Sequence, residues 1–274
     1  MEILFLGTAA SEGFPNPFCS CENCQEARAE GRKSIRLRSS ILINDEILVD
    51  FGPDIVSSAN RFGKNLSEVK HIFITHSHSD HLFLKNFEYR NPIFSGSFDK
   101  LFHVDLIVPN KLGKVLKEAI ELPKISLMSV EPYKELHFNG YVIHTIKANH
   151  TSNYDETPLN YIFEKDNMKV MYGVDTGKLL PETITYLKEK IKYLDVLILD
   201  ATMGFNKKYE YHMGYDEVVG TKELLYNEGI IDDNTKVIVT HFSHLHNPKH
   251  SILEELYGKH NIIVAFDGLK IMVK

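Results

Sequence analysis

No apolar run in the sequence approaches the roughly 20 residues that cross a bilayer, so a membrane-spanning helix is not expected. The first residues, Met1-Glu2-Ile3-Leu4-Phe5-Leu6-Gly7, have no basic segment and no small-residue cleavage site. They read as a strand rather than a signal peptide, and the expected compartment is the cytoplasm. Pro/Gly/Ser-rich linkers, low-complexity tracts and clear internal repeats are missing too. With 274 residues, 43% of them hydrophobic, the expectation is a single domain over 1–274 with ample core. Positive charge is outnumbered: the formal net charge of −6 gives a nucleic-acid partner no support. Arg28, Arg32, Lys33, Arg36 and Arg38 lie close in sequence, and read as a solvated helix and loop surface rather than a binding patch. Cysteine occurs three times within six residues, an odd and clustered count that suits a metal site in a reducing compartment better than a disulfide framework.

What the chain does have is a dense set of metal-ligand side chains. Thr75-His76-Ser77-His78-Ser79-Asp80-His81 follows the apolar run Ile72-Phe73-Ile74. In an extended chain His76, His78 and Asp80 would share one side, because successive side chains alternate between faces. A turn into a helix near Asp80, expected over residues 80–90, would swing Asp80 and His81 toward a second position. One loop could then serve two neighbouring metals.

Taken in order, residues 2–6 predict a strand, and Gly7–Gly13 a small-residue loop. That loop lacks the Gly-Lys-Ser/Thr ending of a phosphate loop. Cys19-Ser20-Cys21-Glu22-Asn23-Cys24 offers three thiolates to a tetrahedral zinc, with a fourth ligand from elsewhere; the alternative is three reduced thiols in a loop. A short helix is expected over 23–31. Strands at 39–44 and 47–50 meet at Asn44-Asp45, a hairpin turn. Asp50, closing the second strand, either orients a ligating histidine or caps the helix expected over 54–62.

Beyond the histidine block, strand and helix signals alternate: strands at 104–108, 124–128, 141–147, 159–164, 168–174, 194–199 and 236–240, and helices at 111–120, 181–190 and 216–227. A last pair of strands falls at 262–265 and 269–273. His150 ends one strand and can join a site still short of ligands. Asp175 ends another between Gly173 and Gly177, where a carboxylate can bridge two metals or serve a turn. His212 precedes a helix, a position that permits general acid chemistry. His241 and His244 follow the strand at 236–240 and could face two different metals. Most of these candidates share one placement, the C-terminal end of a strand.

The block His76-x-His78-x-Asp80-His81 with His150, Asp175 and His241 resembles the ligand set of the metallo-β-lactamase fold, over nearly the whole chain. The resemblance implies an α/β (α+β) architecture, an αββα four-layer sandwich with metals at one edge. It implies His76, His78 and His150 at one metal, Asp80, His81 and His241 at the other, Asp175 between them, and Asp50 behind a ligand. Cys19, Cys21 and Cys24 with His244 resemble the structural zinc site of the phosphoribosyl 1,2-cyclic phosphate phosphodiesterases. In that branch His212 corresponds to a phosphate-contacting histidine. The expected activity is a binuclear metal-dependent hydrolase, with two zinc or manganese ions and Asp80 and His212 in catalytic roles. The expected substrate is a small cyclic phosphodiester such as 5-phosphoribosyl 1,2-cyclic phosphate. A homodimer is compatible with this reading; no membrane partner is expected. Transfer-RNA 3′-processing nucleases, lactonases and thioesterases share the motif set, and a non-hydrolytic accessory protein resembling pyrroloquinoline quinone biosynthesis protein B shares the cysteine arrangement.

Overall fold

Alternation of apolar side chains along short strands sets the layers. In the computed structural model, which describes residues 1–96, 103–119, 124–205 and 209–273, Ile3 and Phe5 of the first strand face one cluster of buried residues, while Leu4 and Leu6 face another. Such strands are apolar on both faces because each face is covered.

Strands β1 (Glu2–Gly7), β2 (Ser40–Ile43), β3 (Ile47–Val49), β4 (His71–Phe73), β5 (Val104–Pro109) and β6 (Ile125–Val130) belong to one sheet. Strands β7 (Glu135–Phe138), β8 (Tyr141–Lys147), β9 (Leu159–Lys165), β10 (Met168–Gly173), β11 (Val196–Asp200), β12 (Lys236–Thr240) and β13 (Ile262–Val264) form the second. Strand β14 (Lys270–Met272) returns to the first sheet, beside β1, so that Glu2 pairs with Met272. The two sheets meet through a shared core in which Ile3, Phe5, Ile41 and Phe73 pack with Tyr161, Phe163, Tyr172 and Ile198.

Helices cover the outer faces. On the second sheet, α1 (Glu22–Glu30) contributes Ala27, and a π-helical turn after α5 (Pro181–Tyr186) contributes Leu187 and Ile191; α6 (Tyr215–Asn227) adds Val218 and Leu225, and α7 (His250–Gly258) adds Leu253 and Tyr257. On the first sheet, Ile55 of α2 (Ile55–Arg61) and Leu112 and Leu116 of α4 (Asn110–Ala119) pack with Leu42, Leu48 and Ile72. One helical turn, α3 (Pro92–Ser95), lies between them in sequence. The result is the expected four-layer αββα sandwich. Among the described residues no helix is long and apolar enough to cross a membrane.

Several local expectations change. Residues 80–90 do not form one helix: a turn is followed by a 3₁₀ segment over Leu84–Arg90, because Leu82 bridges to Phe51 and Asn86 donates to Gly52 O. The last two strands are not partners. β13 pairs with β12 and β14 with β1, in different sheets. Strand β7 and helix α7 carry no expectation in the sequence reading. Asn44 and Asp45 do form the hairpin turn, with φ of 50° and 58°, as a type I′ turn requires.

The clustered basic residues are dispersed into separate contacts. Arg38 pairs with Asp54, Lys33 with Glu254, and Arg36 is buried, donating to Thr8, Ala265 O and His250 Nδ1. Burial and the Arg36 charge push the His250 imidazole down to about 4. The unfolded chain therefore binds more protons than the native one between about pH 4 and pH 6.5. The contribution of His250 is complete above the unfolded value and is lost as pH falls toward 4. Urea unfolding of wild type and His250→Asn across pH 4–7.5 should show the variant losing less stability on acidification, by no more than about 3 kcal/mol. Parallel pH profiles would refute this.

Candidate metal centres

Parallel strands bring their C-terminal ends to one edge. β3, β4, β5 and β6 run parallel in the first sheet, and β10, β11, β12 and β13 in the second. Two antiparallel steps put the exit of β8 on the same edge as that of β10. Asp50, His76, His150, Asp175, Asp200 and His241 all leave from these ends.

Two groups assemble there. His76, His78 and His150 converge, with His76 Nε2 at 2.8 Å and His150 Nε2 at 3.3 Å from His78 Nδ1. Asp80, His81, Asp175 and His241 form the second group. In it His81 Nε2 lies 3.1 Å from Asp80 Oδ2 and in contact with Asp175 Oδ2, and His241 Nε2 lies 3.2 Å from Asp175 Oδ2. Asp175 also reaches the first group: its Oδ1 is 3.8 Å from His150 Nε2 and its Oδ2 is 3.9 Å from His76 Nε2. Strand alternation thus ends before Asp80. A turn in which His81 N and Leu82 N both donate to His78 O sends Asp80 and His81 to the second group. Gly52 is needed beside this turn, since a Cβ there would stand 1.9 Å from Asp80 O.

The outer nitrogens decide which lone pairs face inward. Nδ1 of His81 donates to Asp50 Oδ2 at 2.7 Å, and Nδ1 of His150 faces Tyr211 O at 3.1 Å. A carboxylate or carbonyl can only accept, so both rings keep the proton on Nδ1 and an unprotonated Nε2 when neutral. The Thr75 hydroxyl donates to Asp50 Oδ1, leaving its oxygen to accept from His76 Nδ1 at 3.0 Å. The Thr202 hydroxyl does the same for His241 Nδ1 at 2.7 Å. Asp50 therefore sits behind His81 and Thr75 and does not cap α2.

Electrostatics agrees with this arrangement. Burial, with the neighbouring His81 charge, holds the His76 imidazole well below its ordinary value, and burial lowers His150. Burial pushes the Asp80 and Asp175 carboxyls up, but the neighbouring His81 and His241 imidazoles outweigh it and hold both well below the carboxylate range. Burial opposes protonation of His241, yet Asp175 and Asp80 raise it to about 10. Without an ion, the buried carboxylates hold protons on the histidines. His81 Nε2, His241 Nε2 and Asp175 Oδ2 are buried and have no hydrogen-bond partner of acceptable geometry. This donor set fits a divalent cation, which would displace those protons.

The Asp200 carboxylate, to which the sequence assigned no role, stands behind both His241 and His212. Its Oδ2 accepts from His212 Nδ1 at 3.0 Å and from Asp175 N and Thr202 Oγ1, and its Oδ1 accepts from Thr202 N and Met213 N. Burial opposes a charge on His212, but Asp200 and then Asp175 raise its imidazole above the ordinary value. His212 lies 3.4 Å from Asp175 Oδ1, at the edge of a cavity of about 340 Å³ whose walls include Ser11, Glu12, Tyr209, Tyr211 and Leu245. The signal for Asp200 was an Asp closing an apolar strand, as at Asp50.

A third group includes His244, three residues beyond His241 on the same exit loop. Cys19, Cys21, Cys24 and His244 bring their ligand atoms within 4.8 Å of one another, and Cys21 Sγ is 3.7 Å from His244 Nδ1. Burial pushes the Cys24 thiol up to about 12, so three thiolates would persist here only beside a cation. Four S/N donors at this spacing fit a tetrahedral zinc.

Comparison with known proteins places this geometry. Protein B of coenzyme PQQ synthesis from Ectopseudomonas mendocina is 43% identical over 67 residues, 23% of this chain and 22% of that protein. Ribonuclease Z from Staphylococcus epidermidis is 26% identical over 156 residues, 55% of this chain and 46% of its own length. The chain thus matches less than half the length of either relative. Among solved structures, a diphosphatase from the PhnP family superposes with a TM-score of 0.75 at 24% identity, covering 98% of this chain and 96% of that one. Zinc-bound PqqB from Methylobacterium extorquens gives 0.77 at 15% identity, covering 99% and 100%. These likenesses show the fold. The pattern of the beta-lactamase superfamily domain matches residues 45–242, from the β2–β3 turn to the residue after His241. The chain belongs to the beta-lactamase superfamily, in its metallo-β-lactamase fold.

Proposed function

We propose that this chain is a binuclear metal-dependent phosphodiesterase for a small phosphodiester, such as a cyclic phosphate of phosphorylated ribose. The observation that carries the reading is the set of buried, unpartnered ligand atoms on His81, His241 and Asp175 beside the imidazoles of His76, His78 and His150. His76, His78 and His150 would hold one cation and Asp80, His81 and His241 the other, with Asp175 reaching both. Zinc or manganese suits these donors, and zinc suits the cysteine group. When bound, such ions supply Lewis acidity, lowering the pKa of water and offsetting charge on phosphoryl oxygens.

The chain's own groups do the rest. Asp200 fixes the His212 proton at Nδ1 and favours a second proton at Nε2. His212 can therefore bind a non-bridging phosphoryl oxygen or give that proton to the departing alkoxide. Asp50, Thr75 and Thr202 hold the ligand imidazoles in one tautomer. The PhnP-family diphosphatase, superposed over 96% of its length, supports phosphoryl chemistry over a lactam. Similarity to ribonuclease Z supports a second reading, a transfer-RNA 3′-processing nuclease. The net charge of −6 runs against it, because phosphate-backbone binding draws on positive charge.

Turnover of a cyclic phosphodiester and of bis-p-nitrophenyl phosphate tests the proposal. Asp80→Ala should lower kcat/KM by about 100-fold or more, in line with loss of a metal ligand. Equal, slow hydrolysis by wild type and variant sinks the idea. Salt-dependent tRNA affinity with 3′-end cleavage would favour the nuclease, and cleavage of an acyl-homoserine lactone a lactonase.

His212 and Asp200 are separable. His212→Asn should lower kcat by about 100-fold with metal content unchanged, the scale of general acid catalysis. Asp200→Asn should lower both kcat and metal affinity, because it also stands behind His241. Metal loss in His212→Asn would contradict these roles. Elemental analysis should give about three ions per chain, and about two in Cys21→Ser, if the cysteine group binds independently.

A further inference from the structure

The two candidate catalytic groups are not held in the same way. Asp175 and His241 leave strand ends, and His81, Asp175 and His241 are backed by the buried carboxylates Asp50 and Asp200. In the histidine trio His76 and His150 also leave strand ends and are held through Nδ1 by Thr75 and Tyr211 O, whereas His78 lies further out on its loop with no such partner behind it among the described contacts. His78 offers Nδ1 from a half-buried turn, so its position follows from the backbone of residues 77–79.

That backbone is gripped from the opposite loop. Glu156 is buried, and its Oε1 accepts from Ser77 N at 2.9 Å while its Oε2 accepts from Tyr154 N at 3.0 Å. Asn153 closes the other side: its backbone N–H donates to Ser77 Oγ at 2.9 Å and its side-chain amide to Ser77 O at 3.0 Å. The Ser152 hydroxyl donates to Glu156 O at 2.9 Å and holds the loop in this shape. Every hydrogen-bonding group of Ser77 between the two histidines is thereby tied to residues 153–156. The two oxygens of Glu156 thus bridge the turn at Ser77 and the loop at Tyr154 in a buried position.

We propose that Glu156, with Asn153, is a positioning residue that assembles the His76/His78/His150 centre, and that this clasp sets the affinity of that centre ahead of the Asp80/His81/Asp175/His241 centre, to which Asp175 links it. The inference rests on the binuclear reading above, but its readout is ion occupancy and needs no substrate. Neither residue is a proposed ligand, and neither lines the cavity that holds His212.

The experiment is zinc titration of metal-free protein with a competing chelator, paired with anomalous-scattering maps of crystals grown at limiting zinc. Glu156→Ala should weaken one of the two catalytic-site affinities by about 10- to 100-fold, the range for residues that orient ligands. The lost occupancy should be greater at the trio than at the second centre, with the cysteine group filled as in wild type. Equal loss at both catalytic centres, or no loss at the trio, overturns the proposal. If Glu156→Ala fails to fold, Asn153→Ala decides, with a smaller loss at the same centre expected and an unchanged affinity overturning it. Wild-type protein that takes no ion at the trio would refute this proposal and the binuclear reading together. Normal ion binding without phosphodiester turnover would fail only the substrate assignment.

Discussion

Three carboxylates, Asp50, Asp175 and Asp200, are buried where strands of both sheets end, and the rest of the site is arranged around that burial. Moving an ionised carboxylate out of water costs several kcal/mol unless hydrogen bonds and opposite charge compensate. Asp50 is met by Thr75 N, the Thr75 hydroxyl and His81, although burial outweighs them and leaves its carboxyl above the ordinary value, and two loops wrap Asp200 with backbone N–H groups. Asp175 is the exception. Its Oδ2 faces Nε2 atoms whose partner nitrogens already direct a proton outward, so positive charge must come from extra protons on His81 and His241 or from a cation. The network that orients the histidines is what leaves this electrostatic demand at its centre.

The backbone takes an uncommon course to build it. Asp50, Asp175 and His241, each the first or second residue after a strand, have φ of 64°, 51° and 65°. Asp and His visit this left-handed region more readily than most residues, and a single visit costs of the order of 1 kcal/mol. Turning sharply at a strand end folds the side chain back over the sheet edge, where continued extension would carry it past. Three such turns on three strands produce convergence, with the packed sandwich beneath them holding each strand end in place.

Much of this was legible in the sequence because the chemistry is concentrated. Four ligand-type residues in six positions, and three cysteines in another six, stand out without any knowledge of the fold. Strand-end placement then gathers His150, Asp175 and His241. Asp200 was passed over because no histidine motif flanks it, and its partners Asp175, His212 and His241 are brought to it only by tertiary packing. The helix expected over 80–90 failed because the bridge from Phe51 to Leu82 constrains that segment more than its local pattern does. The final two strands read as neighbours since hairpins are the common case, whereas they are edge strands of different sheets, β13 beside β12 and β14 beside β1.

One exit loop serves both kinds of centre. His241 and His244 are three residues apart after β12, the first turned into the acidic group and the second toward Cys21. Between them Phe242 lies under the buried Arg36 guanidinium, 4.4 Å from its ring centre, and Phe242 O accepts from Ala10 N. Ser243 donates to Glu12, a residue of the cavity wall, and Asn23 at the start of α1 donates to His244 O. The segment is therefore pinned from the first sheet, from the cysteine loop and from the cavity wall at once. A cation among the cysteines would add a further tie at its far end and shorten the span over which His241 could drift. The cysteine group is thus connected to the catalytic edge by packing rather than by shared ligands, and stapling the loop is a sufficient physical role for it.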